Sequence, residues 1–198
     1  MLELLTGTGL AAAAGLNAYI PLLLMGVAGR FDWVQLPSGW LWLENEWIMV
    51  VLGLLLVIEI VADKVPAVDT VNDVIQTVVR PASGGIAFSG GIGTSTVAVD
   101  DPASFFSSGA WIPVLIGIGL ALLMSLAKTA VRPVANLATG GAAAPALSTA
   151  EDGASIVLVV LAFVAPILVL IALVLLAILF ATIIRRLRRR RRALSQTG

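Results

Sequence analysis

Nine side chains in this sequence could hold a charge or a polar ligand among mostly apolar neighbours: Asn17, Glu59, Asp63, Lys64, Asp69, Asp73, Arg80, Lys128 and Arg132. Glu59 lies inside an apolar run and precedes Asp63 by four residues, so a helix puts both carboxylates on one face. An unpaired charge in hydrocarbon costs at least about 2.5 kcal/mol on insertion scales, so these groups must face protein, water or headgroups. Two carboxyls this close and away from water resist ionising together. A carboxyl that exchanges a proton is what a proton-coupled carrier needs. The competing reading is structural: a neutral Glu59 hydrogen-bonded across helices, or paired with Lys128.

The remaining candidates also carry two readings each. Pro21 removes a backbone donor and frees the carbonyl of Asn17, so amide and carbonyl together could bind an ion or headgroup. An interhelical hydrogen bond beside a tolerated kink is the alternative. Lys64, Arg80, Lys128 and Arg132 fall near Asp63, Asp69 and Asp73, either as an anion-binding cluster or as a lattice tying helix ends together. The glycines at 84–93 and 140–141 are not a phosphate loop, because no Gly-Lys-Ser/Thr follows and no strand precedes. Close helix packing explains them better.

The elements that must position these groups are helical and apolar. The chain is 59% hydrophobic and only 12% charged over 198 residues, with a mean hydropathy of +1.04. Soluble domains carry about 25% charged residues, so the composition is that of an integral membrane protein. The start, Met1-Leu2-Glu3-Leu4, lacks a basic leader, and the first apolar segment is expected to be retained. Histidine and cysteine are both absent. That removes disulfides, thiolate chemistry and His or Cys metal sites; no cofactor or metal is expected, and an enzyme is disfavoured.

Hydropathy predicts an all-α transmembrane bundle with spanning elements at 4–29, 47–65, 81–98, 111–128, 134–149 and 154–184. A short amphipathic cytoplasmic helix is expected at 67–80, and a basic tail at 185–198. A small-residue segment followed by an aliphatic helix recurs three times, which suggests three hairpin-like repeats. The segments 81–98 and 134–149 are short enough to be re-entrant. The pair Glu151-Asp152, followed by Gly153, reads as a turn. With six crossings and a cytoplasmic N-terminus, Lys64, Arg80, Lys128, Arg132 and the tail fall inside, while all five Trp residues fall at the outer interface. Seven of the twelve basic residues lie in Arg185–Arg192. Beside a spanning helix that run reads as an anionic-lipid contact, not a nucleic-acid site.

Ala14-Gly15-Leu16-Asn17-Ala18-Tyr19-Ile20-Pro21-Leu22-Leu23, with Asp63-Lys64-Val65-Pro66-x-x-Asp69-x-x-x-Asp73 and Arg80-Pro81, resembles a family of small bacterial membrane proteins. That family is known as a domain of unknown function (number 4126). The resemblance covers roughly residues 5–150 and makes the last helix and tail look like an addition. It implies a multi-pass protein of the bacterial cytoplasmic membrane, with both termini placed in the cytoplasm by the charge argument, and brings no activity with it.

The expected function is transport or binding of a small solute or lipid headgroup, coupled to a proton or cation through Glu59 and Asp63. Asn17 would contact the ligand, Lys128 and Arg132 would act as charge partners, and the Asp69–Arg80 helix would gate. The alternative is a non-catalytic accessory subunit of a larger membrane complex. A homo-oligomer is compatible with either.

Overall fold

A computed structural model describes residues 1–64, 66–93, 109–139 and 143–194. Every regular element among them is a helix: α1 (Leu2–Leu16), α2 (Tyr19–Arg30), a 3-10 helix (Ser38–Glu44), α3 (Glu46–Ala62), α4 (Pro66–Gly91), α5 (Trp111–Thr139), α6 (Ala143–Val164) and α7 (Pro166–Leu194). Pro66 and Pro166 each open a helix, where the missing N–H has no intrahelical partner to lose. Asn45 caps α3 by accepting from the Trp47 N–H at 2.9 Å.

α1 is the central post. Gly7 and the stretch from Gly9 to Leu16 are buried, and α4, α5, α6 and α7 all pack on it. Its small residues follow from that position. A Cβ on Gly15 would meet the Ala121 carbonyl oxygen at 2.5 Å, and one on Gly91 would meet the Cα of Gly7 at 2.9 Å. Helices that approach this closely need small residues at the contact.

The first apolar segment does not run as one crossing from 4 to 29. Thr6 Oγ1 donates to the Ala162 carbonyl at 2.9 Å, Ser155 Oγ to Ala13 at 3.0 Å, and Asn17 Nδ2 to Asp152 at 2.9 Å, so α1 runs antiparallel to α6. α2 then climbs back. Leu24, Val27 and Ala28 face Val159 and Phe163 across an apolar crevice of about 370 Å³. Met25 lies against Gly90, one residue from where Gly7 lies against Gly91. Both ends of α1–α2 therefore reach the same end of the bundle, and the segment is a helical hairpin whose tip is Asn17-Ala18. That end also holds the Trp residues at 33, 40, 42, 47 and 111; the opposite end holds Lys64 and Lys128.

Three further boundaries differ from the expected ones. The amphipathic helix 67–80 and the small-residue segment from 81 form a single helix, α4, with Pro81 inside it; the part of 81–98 beyond 93 lies outside the described residues. Residues 134–149 are not an element of their own, because α5 runs on to Thr139 and α6 starts at Ala143. The aliphatic run 154–184, whose length calls for a tilt, a kink at Pro166 or a projecting end, divides into two helices at Pro166, which cannot continue a helix without losing a hydrogen bond. α7 then packs down the core through Leu173, Leu176 and Phe180. α1 therefore starts at the end of the bundle where α7 begins, and α7 runs towards the opposite end.

Burial is inverted relative to a soluble protein. Arg80, Lys128, Glu59 and Gln76 are among the largest fully buried side chains, while Val57, Val61, Leu123, Val160, Val164 and Leu175 are exposed. Among the described residues, Trp111–Val131 and Pro145–Val164 are long and apolar enough to cross a membrane. The 3-10 helix with α3, bent by 68°, makes a third if counted as one span. Lipid accommodates such a surface; water does not.

The hairpin can be checked directly in a chain without native cysteine. In membranes of known sidedness, Leu2→Cys and Trp33→Cys should react with an impermeant maleimide from one face, and Lys64→Cys from the other. Labelling of Leu2→Cys and Trp33→Cys from opposite faces would restore a single straight crossing.

Candidate functional site

The polar site forms where the hairpin tip meets the lysine end of the bundle. α1 stops at Leu16 because Asn17 takes an extended backbone, φ −141° and ψ 124°. The Asn17 side-chain oxygen then accepts from the Tyr19 and Ile20 N–H groups at 3.0 and 3.1 Å, capping α2. Pro21 falls in the first turn of the new helix, where its missing donor costs little. The chain therefore breaks at Asn17, four residues before Pro21, where a tolerated kink was the expected alternative.

Lys128, from α5, closes the other side of the tip. Its Nζ donates to the Leu16 carbonyl at 3.0 Å and pairs with Glu151 Oε2 at 3.0 Å and Asp63 Oδ2 at 3.6 Å. A cation at a helix C-terminus is favoured by the dipole, and more strongly so away from water. Lys128 thus joins α1, α3 and α6 to its own helix.

Glu59 and Asp63 share one face of the α3 terminus, as their spacing requires, and each takes a different cation. Glu59 Oε1 accepts from Arg80 Nη2 at 3.2 Å, whereas Asp63 takes Lys128 and the Asn72 amide, the latter at 2.8 Å. Arg80 and Glu59 are both about 1% exposed at the side chain. α4 turns its polar face inward to do this: Gln76 and Arg80 are buried, while Val74 and Val78 are more than two-thirds exposed. The expected surface-lying amphipathic helix is instead part of the bundle wall, polar side in. Tyr19, at the start of α2, has Gln76, Glu59 and Arg80 as the groups acting on its hydroxyl.

Of the nine candidates, the structure brings five together: Asn17, Glu59, Asp63, Arg80 and Lys128. Lys64 turns outward and donates to the Ile60 carbonyl at 3.1 Å on its own helix. The side chains of Asp69, Asp73 and Arg132 lie outside the described residues. Glu151 and Asp152, expected in a turn, sit instead within α6 and reach Lys128 and Asn17. Their signal was present: Ser148, Glu151, Asp152 and Ser155 follow the spacing of one helix face. Gly153 and the adjacent acids masked it. Gln76 and Tyr19 also join the site without having been singled out. No group of three or more acidic ligands positioned for a metal occurs among the described residues.

Residues 4–186 match the family described as Domain of unknown function (DUF4126). The chain belongs to the DUF4126 family. The match runs well past residue 150, so α7 is largely part of the DUF4126 domain and not an addition to it. The two stretches that carry the family resemblance, 14–23 and 63–81, supply the hairpin tip and the α3–α4 corner, which are the parts that meet here. No curated protein and no solved structure matches the chain.

Removing one member of a buried ion pair costs about 3–5 kcal/mol, because the partner charge is left uncompensated. Lys128→Met should therefore lower the unfolding stability in detergent by that order. Combining it with Glu151→Gln should recover part of the loss. Additive losses in that double-mutant cycle would mean that Lys128 and Glu151 are not coupled.

Proposed function

We propose that the protein is a membrane carrier or binding protein for a small solute or lipid headgroup, coupled to a proton or cation through the carboxylates around Glu59. One observation carries the reading: a network of buried charges closes on the broken tip of a re-entrant hairpin. Interrupted helices at membrane depth are tolerated where they are packed in protein or line a polar cavity. In transporters, such interruptions mark substrate and ion sites. A purely structural core would not need Asn17 and Lys128 to terminate a central helix and a shell of further polar side chains to surround that end.

In this reading α3 to α7 cross the bilayer and α1–α2 enters and leaves by one face. The count of six membrane elements is kept, as one hairpin and five crossings in place of three repeats. Lys64, Lys128 and the Arg185–Arg192 run face the cytoplasm of a bacterial inner membrane, the Arg run against anionic lipid. The tryptophan end and the N-terminus face outward. An accessory subunit of a larger complex is the rival, and one experiment separates the two.

Native mass spectrometry after gentle extraction should detect a stoichiometric small molecule or lipid on the wild-type protein. The same species should be absent from a folded Glu59→Gln variant. A ligand-free wild type that instead carries a reproducible protein partner would replace the carrier with the accessory subunit.

A further inference from the structure

Two buried oxygens at the site lack a donor. Glu59 is 2% exposed, and while its Oε1 is held by Arg80, its Oε2 has no hydrogen-bond partner among the described residues. Gln76 is 1% exposed, and its Oε1 is in the same position. Gln76 precedes Arg80 by one helix turn, so both project from one face of α4. Tyr19 hydrogen-bonds Gln76 and also feels the charge of Glu59, so the amide and the carboxyl belong to one buried cluster. Both orphan atoms are acceptors, and two acceptors cannot satisfy each other. One hydrogen between them satisfies both.

The charges around the site point the same way. From α4 and α5, Arg80 and Lys128 face Glu59, and Asp63 faces it from its own helix. α6 adds Glu151 on Lys128 and Asp152 on Asn17. A buried carboxyl whose second oxygen meets no donor is costly to hold as an anion. A hard metal ion would need six or more oxygen ligands, and no acidic group set for a metal is present among the described residues. A proton needs no ligand shell and no added volume.

We infer that Glu59 is the proton-carrying carboxyl of the site, with its Oε2–H donated to Gln76 Oε1 while Arg80 holds Oε1. The inference rests on the carrier reading for its use and names the coupling ion as a proton. Release of the proton leaves a carboxylate, and the Gln76 amide can then rotate to present its NH2 to the same oxygen. Gln76 therefore serves both states and acts as a positioning residue. Tyr19, on the hairpin, hydrogen-bonds Gln76 and feels the charge of Glu59, so a change at the carboxyl reaches the element whose tip closes the site.

Infrared difference spectroscopy of the protein in lipid nanodiscs, titrated with acid and base, tests this without any substrate. The wild type should show a protonated-carboxyl C=O band that is lost in Glu59→Gln and kept in Asp63→Asn. In Gln76→Leu, which leaves Glu59 itself in place, the band should move to higher frequency because the O–H has lost its acceptor. Identical carboxyl regions in wild type and Glu59→Gln throughout the titration, or an unmoved band in Gln76→Leu, would overturn the assignment. The readout is independent of transport. The expected band in a protein with no flux removes the carrier and keeps the proton site, whereas flux without the band does the reverse.

Discussion

Everything at the lysine end of this bundle depends on a charge that has nowhere else to go. Lys128 is buried to 1% exposure, and the surrounding helix exteriors are aliphatic. Transferring its ammonium out of water is costly unless its donors are met. It meets them with the Leu16 carbonyl, Glu151 and Asp63, and those three partners fix the ends of α1 and α3 and the first half of α6. The same requirement propagates outward. Asp63 also takes Asn72, and Glu59 takes Arg80, so α4 must turn its polar face inward and its valines outward. The orientation of four helices follows from satisfying one buried cation and the acids it draws in.

The hairpin tip poses the complementary problem for the backbone. Stopping one helix and starting another inside the bundle leaves carbonyls at one end and N–H groups at the other, and a buried tip has no solvent to meet either. Lys128 answers the carbonyl of Leu16, and the Asn17 side chain answers the N–H groups of Tyr19 and Ile20. A turn of two residues is possible because both solutions come from side chains already committed to the network.

How much of this could be read from the sequence depended on which physical signal each feature leaves. Glu59, Asp63, Arg80 and Lys128 were visible because a charge in an apolar run has few explanations. The all-helical character was visible for the same compositional reason. The hairpin was not. Twenty-six residues of mean apolar character look alike whether they cross or return, and the deciding feature, an extended Asn17, is a backbone property that tertiary contacts select. Pro21 drew attention to the right turn of chain for the wrong reason. Glu151-Asp152 was misread because adjacent acids before a glycine resemble a loop, and only Lys128 and Asn17 make a helix there tolerable. The boundary at 80–81 failed similarly: a polar stretch and a small-residue stretch look like two elements, yet α4 continues through Pro81.

The two ends of the bundle are held by different physics. Towards the tryptophan end, α1 and α4 meet through glycine at Gly7 and Gly91, and α4 meets α5 through Gly84 and Gly117, with a Cβ on Gly84 coming within 2.8 Å of the Gly117 carbonyl oxygen. Contacts of that kind are dispersion packing, insensitive to protons or ligands and lost only by separating backbones. The lysine end is held by hydrogen bonds and ion pairs, whose strength changes when a proton or a charged ligand arrives. A change in occupancy at Glu59 therefore acts on the lysine end and leaves the glycine seam intact. In a carrier, the seam would be the fixed wall, and the tip at Asn17, tied by polar contacts to Asp152 and Lys128, the part that responds to a change in charge.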